Sequence, residues 1–205
     1  GCELRHDAPV VFKQNGFDGA AYVFFGRASA AAWSSPVVNI ATSGCDADVC
    51  IRPPTGSGAS VGEAVSGLGD FDGDATPDFA VGVPGLNQAL VISGGQAIPA
   101  SRLFVLGTNE PDGFRMQGQP SAAGSFDFGY SVVSLGDANQ NNLQDLGILR
   151  VSLNADFSPN LSRQIVLYRV DGRARSAAGL TTLSSATDIV PVLTDPLLVG
   201  TACTN

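Results

Sequence analysis

The stretch VGEAVSGLGDFDGDATPDFAVGVP, residues 61–84, is followed by FGYSVVSLGDANQNNLQDLGILR, residues 128–150, at an offset of 67 (Asp70 to Asp137). Gly62, Val65, Leu68, Gly69, Asp70 and Asp78 return as Gly129, Val132, Leu135, Gly136, Asp137 and Asp145. Recurrence at a fixed period marks a repeat architecture. Each copy runs apolar strand, acidic Gly- or Asn-rich loop, apolar strand, the pattern of a hairpin stapled at its turn by a metal. A third, partial copy lies upstream, where GAAYVFFGRASA (19–30) matches NQALVISGGQAI (87–98) at an offset of 68 (Val23 to Val91). The chain therefore reads as a single repeat domain. Residues 1–60 hold a partial first unit and a cysteine loop, 61–127 a second unit, and 128–205 a third unit with a C-terminal tail.

Strand signals fill the remainder. Short runs rich in Val, Leu, Ile, Phe and Tyr, bounded by Gly, Pro, Asp and Asn, predict strands over 21–26, 63–68, 78–83, 89–93, 102–106, 130–135, 146–151, 164–170 and 180–184. Their spacing suits antiparallel meanders, so the expected fold class is all-β. The Ala-rich segment Arg27–Trp33 reads as a connection between strands rather than a helix. Residues 34–60 and 108–127 read as Ser/Gly/Pro-rich connections, and 188–205 as an edge strand or an extended tail.

Composition narrows the function classes. A hydrophobic content of 44% in 205 residues is enough to bury a core, which argues against wholesale disorder. A formal charge of −8, with Lys13 as the single lysine, argues against binding a nucleic-acid backbone or an anionic membrane. Clustered acids suit cations instead. No apolar run reaches the roughly 18 residues of a membrane span. No signal-peptide pattern opens the chain, which reads as a mature or trimmed form.

The acidic loops carry the chemistry. In Asp70-Phe71-Asp72-Gly73-Asp74-Ala75-Thr76-Pro77-Asp78 the carboxylates alternate, and Gly73 lets the backbone curl around an ion. Asp70, Asp72, Asp74 and Asp78, with the Thr76 carbonyl, make a set of hard oxygen donors of the kind Ca²⁺ takes. The second loop offers Asp137, Asn139, Asn141, the Leu143 carbonyl and Asp145 in the same places, with two fewer carboxylates, and is expected to bind more weakly. The pattern is not an EF-hand, because its twelfth position is Val81 instead of Glu and strands flank it. Solvated Asp/Asn/Gly turns are the plainer alternative for either loop taken alone.

Four cysteines without a CxxC suit an oxidising compartment. They allow three connectivities, of which the local-first arrangement pairs Cys45 with Cys50 and Cys2 with Cys203. Location outside the cytoplasm follows as an expectation, whether extracellular, at the cell surface or periplasmic.

The composite unit resembles the FG-GAP repeat, the blade of integrin α-subunit β-propellers and related bacterial surface proteins. The FG element is Phe128-Gly129 in the third unit and Val61-Gly62 in the second; the GAP element is Gly82-Val83-Pro84, replaced by Leu149-Arg150-Val151 in the third. The resemblance implies four-stranded antiparallel blades, with a calcium loop joining the first two strands of each. Propellers need about four blades or more to close. Three units, the first partial, imply a fragment of a larger ring, an open array completed by a partner, or one protomer of a ring built from several chains.

Catalytic patterns are thin. His6 is the only histidine, which removes histidine-based zinc sites and leaves a Ser-His-Asp set without a nucleophile-elbow motif. The acidic pairs could serve a glycosidase, but their spacing is accounted for by cation coordination. Asn160-Leu161-Ser162 is a glycosylation sequon, and no pattern speaks for a carbohydrate ligand. The expected function is a non-enzymatic calcium module for adhesion or assembly, contacting a protein partner or its own copies through open blade faces. A structural accessory subunit docked on a larger complex is the second reading. A propeller-based hydrolase or lyase is the third.

Overall fold

A computed structural model of the chain describes residues 18–24, 45, 47–119, 128–152 and 164–196. The expected Cys2–Cys203 pair, His6, the Arg27–Trp33 connection, the 160–162 sequon and the last residues of the tail lie outside the described residues. The fold is all-β, in three sheets. Sheet I has the order β1 (Ala21–Val23), β2 (Val49–Arg52), β6 (Leu103–Val105). Sheet II has the order β11 (Leu180–Leu183), β7 (Gly113–Gln117), β5 (Gln88–Ile92), β4 (Asp78–Val83), β3 (Val65–Gly69). Sheet III has the order β12 (Val190–Pro196), β10 (Gln164–Val170), β9 (Asp145–Ser152), β8 (Phe128–Gly136).

Among the described residues the sheets have three, five and four strands. The cause is a reach-back that repeats. β6 follows β5 in sequence but pairs in parallel with β2 of sheet I, and β11 follows β10 but pairs in parallel with β7 of sheet II. All other ladders are antiparallel. Two strands fall where connections were expected. β2 occupies the cysteine loop, and β7 (GFRMQ) occupies the stretch 108–127. In β7 the alternation is complete, with Phe114 and Met116 buried between the half-buried Arg115 and Gln117. Of the two readings left open for 188–205, the edge strand is the one formed, over Val190–Pro196.

Sheet II lies between the other two, and period-2 alternation sorts its residues onto two faces. Ala80, Ala89, Val91, Phe114 and Met116 pack with Phe128, Val132, Leu146, Ile148 and Val170 of sheet III. Val81, Val83, Leu90 and Ile92 pack with Val23, Val49, Ile51 and Phe104 of sheet I. Phe71 and Phe114 meet edge to face with centroids 5.4 Å apart, as do Phe128 and Tyr168 at 5.3 Å. This double burial explains why QALVI reads as an unbroken apolar run after its first residue.

Two glycines of the repeat signature set how closely sheets II and III approach. A Cβ on Gly82 would lie 2.1 Å from the Gly129 carbonyl oxygen, and one on Gly129 would lie 2.0 Å from that of Gln88. Gly129 also has φ +88, and its counterpart Gly62 has φ +83, a backbone region that favours glycine.

Candidate metal centre

Both acidic loops begin at a β-bulge. The ladder between β3 and β4 slips between Gly67 and Gly69, and that between β8 and β9 slips between Ser134 and Gly136. Gly69 (φ +82) and Gly136 (φ +69) take the left-handed conformation such a bulge requires, and the kink turns the following aspartate inward. That is the physical content of the recurring Leu-Gly-Asp.

In the first loop, backbone N–H groups converge on the carboxylates. Asp70 accepts from Gly73 at 2.6 Å and Ala75 at 3.0 Å. Asp78 accepts from Phe71 at 2.8 Å, Asp72 at 3.2 Å and Gly94 at 2.9 Å. Asp72 Oδ1 accepts from Asp74 at 3.2 Å, and Asp74 accepts from Thr76 at 2.8 Å. Ligand oxygens of Asp70, Asp72 and Asp78 lie within 4.8 Å of one another, and Asp72 and Asp78 are buried. A single cation with oxygen distances of about 2.3–2.6 Å can bridge that span. The cluster can hold a metal ion. Burial pushes the Asp78 carboxyl up to about 6, with a further push from the neighbouring Asp72 charge, against the pull of the Gly94 and Phe71 N–H groups.

The second loop repeats most of this scaffold, with Asn141 rather than Gln140, the Gly73 counterpart, donating to its first aspartate. Asp137 accepts from Asn141 and Asn142, both at 2.9 Å; Asp145 accepts from Ala138 at 3.0 Å and Gly172 at 2.9 Å. Asn139 accepts from the Asn141 N–H at 3.0 Å, and Asn141 accepts from Leu143 at 2.9 Å. Left-handed residues also coincide: Gly73 and Ala75 in the first loop, Gln140 and Asn142 in the second. The two loops touch, since the Gln144 N–H donates to the Asp70 carbonyl at 2.9 Å.

Of the residues expected at the first site, Asp70, Asp72 and Asp78 come together. Asp74 is exposed, and its carboxylate lies beside Gly95 and holds the Thr76 N–H. In the second loop, Asp137 and Asp145 are the only acids, with Asn139 bridging toward Asp145 through an amide contact of 3.5 Å. The Leu143 side chain packs near Gly73 of the first loop.

Three polar partners were not anticipated. Ser93 Oγ donates to Asp72 Oδ2 at 2.5 Å, Arg175 Nε donates to the same oxygen at 2.9 Å, and Arg175 Nη1 reaches Asp112 at 3.0 Å. Gly94 and Gly172 occupy matching places after β5 and β10, so aligning Leu-Val-Ile-Ser-Gly with Tyr-Arg-Val-Asp-Gly would have found the donors to Asp78 and Asp145. No spacing signal joins Arg175 to Asp72 across 103 residues.

Cys45 and Cys50 form a disulfide, with Cα atoms 5.8 Å apart, that closes the turn into β2. Among the described residues, no helix is long and apolar enough to cross a membrane. Compared with protein-family models and with the curated proteins, the chain matches none.

Proposed function

We propose that the chain is a non-enzymatic, extracytoplasmic calcium-binding module of the FG-GAP type that acts in adhesion or assembly. The observation that carries the reading is the three-carboxylate cluster, with Asp72 and Asp78 buried, on a loop whose hydrogen-bond scaffold largely recurs in the second repeat. Solvated turns have no reason to bury two of three converging carboxylates. An all-oxygen donor set favours a hard cation such as Ca²⁺. The ion would be held by Asp70, Asp72 and Asp78 and, more weakly, by Asp137 and Asp145 with Asn139. Its contribution is charge neutralisation that ties both ends of the loop to the hairpin.

The assembly part rests on the outer face of sheet III. Val133 and Leu135 lie over Gly147 on the face away from Leu146 and Ile148. Their repeat counterparts in sheet II are Ser66 and Leu68, which face sheet III; Leu68 is buried in the core shared with it. On sheet III the same face is open, with Val133 47% and Leu193 59% exposed. A comparable apolar sheet, from a partner or from another copy, is the complementary surface. The disulfide supports an oxidising location.

The test is calorimetry in chelator-treated buffer together with thermal melts. A ligand bound only by the native state adds on the order of 2.7 kcal/mol at a hundredfold excess over Kd. Calcium should raise the melting temperature of the wild type and have much less effect on Asp72→Ala. Melting indifferent to chelator, with no binding heat, would overturn the calcium reading. Light scattering at micromolar protein tests assembly: a monomer with no dye-accessible apolar surface would overturn that part.

A further inference from the structure

We infer that Arg175 is a tethered counter-cation for the first acidic loop, standing in for part of an ion's charge and thereby weakening calcium binding there. The inference rests on the calcium reading of that loop. Its grounds are geometric. The Asp72 side chain is 1% exposed, yet its Oδ2 carries an ion pair to Arg175, whose own side chain is 23% exposed. Among the described residues the other oxygen, Oδ1, is engaged only by the Asp74 N–H at 3.2 Å. A buried carboxylate beside two more carboxylates is costly without a positive partner, and Arg175 supplies one within the chain.

Arg175 is held in place by its own segment, which runs between β10 and β11 across both loops. The Gly172 N–H donates to Asp145, the Arg173 N–H to the Phe71 carbonyl at 2.9 Å, and the Gly179 N–H to Asp112 at 2.6 Å. Both ends of the stretch are anchored, which keeps the Arg175 backbone beside the first loop. Asp112, on the far side of the guanidinium, then balances it. The second loop has no such need, because Asn139 stands where the first has Asp72. The four-carboxylate loop therefore binds less tightly than its charge count implies, and stays folded without an ion.

Calorimetric titration of the whole chain with calcium, paired with melts in chelator, tests this. Because Asp112 cancels much of the guanidinium's charge, Arg175→Gln is expected to tighten calcium binding about three- to tenfold. The same variant should melt lower than wild type in chelator and gain more from calcium. Arg175→Lys, which keeps the charge, should bind within about twofold of wild type. Asp112→Asn, which leaves the arginine uncompensated but can still accept the Gly179 N–H, should bind more weakly. Wild-type binding with unchanged or weaker affinity in Arg175→Gln overturns this inference alone, and would make Arg175 an orienting partner of Asp72. No binding heat in wild type or variant overturns the calcium reading and this inference together.

Discussion

Gly82→Ala puts a methyl group where the backbones of sheets II and III nearly meet. The new Cβ would lie 2.1 Å from the Gly129 carbonyl oxygen, about 1.2 Å short of the roughly 3.3 Å at which carbon and carbonyl oxygen normally meet. No side chain can swing aside to relieve the clash. Gly82 is itself pinned, its N–H donating to Ala64 at 2.8 Å and its carbonyl accepting from Gly62 at 3.0 Å. Relief therefore requires the two sheets to separate, loosening Ala80 and Phe114 from Phe128 and Ile148. Overpacking of a well-packed site costs about 1–3 kcal/mol, and an obstacle made of backbone puts the cost at the upper end. At about 2–4 °C per kcal/mol for a chain of this size, the melting temperature should drop by about 6–12 °C. Gly67→Ala on the neighbouring strand is the control, because its Cβ meets nothing within 4 Å. Circular dichroism melts of both variants, with calcium held constant, read the difference. Melting temperatures within about 2 °C of each other would refute the backbone-to-backbone stacking of the two sheets.

Three further outcomes follow from residues in and near the loops. Asp78 has a folded-state pKa of about 6, above its ordinary value, so the stability it contributes is fully present below about pH 4 and is lost as pH rises through about 6. Melts in chelator should therefore fall over that window, and saturating calcium, which favours the ionised carboxylate, should flatten or reverse the trend. Ala75 sits at φ +65 where the second loop has Asn142 at φ +66, so Ala75→Asn should raise the melting temperature by about 1–4 °C, read by scanning fluorimetry. The six-residue disulfide loop should contribute about 2 kcal/mol by restricting the unfolded chain, and a Cys45→Ala/Cys50→Ala double variant should lose about that much in urea unfolding.

Much of the site was legible because both loops spell the same demands. The bulge needs glycine at 69 and 136, the inward turn needs aspartate at 70 and 137, and the closing strand needs a carboxylate at 78 and 145. Central strands were legible for a similar reason, since burial on both faces makes β4 and β5 continuously apolar after their polar first residues. What escaped had weaker local signals. β7 alternates Arg and Gln with Phe and Met over five residues, and β2 hides inside a disulfide turn. The parallel pairings of β6 and β11 are set by distant partners, and no local pattern encodes them. Asp74 was expected among the ligands because it keeps the alternation, but its carboxylate caps Thr76 instead.

The reach-back of β6 and β11 has a consequence for how such an array comes apart. Each sheet edge next to β2 or β7 is finished by a strand contributed from the following repeat, so the unit of sequence and the unit of hydrogen bonding are out of phase. In a solenoid with in-phase repeats, terminal units can fray one at a time. Here, peeling the third repeat away also strips Leu180–Leu183 from β7 and withdraws the buried Leu183 and Ile189 from the core beneath Phe114. Nearest-neighbour coupling is thus covalently interlocked, like overlapping shingles each nailed through the one before. A protease cutting between the second and third repeats would strip sheet II of its edge strand β11, and the array should unfold in a single step.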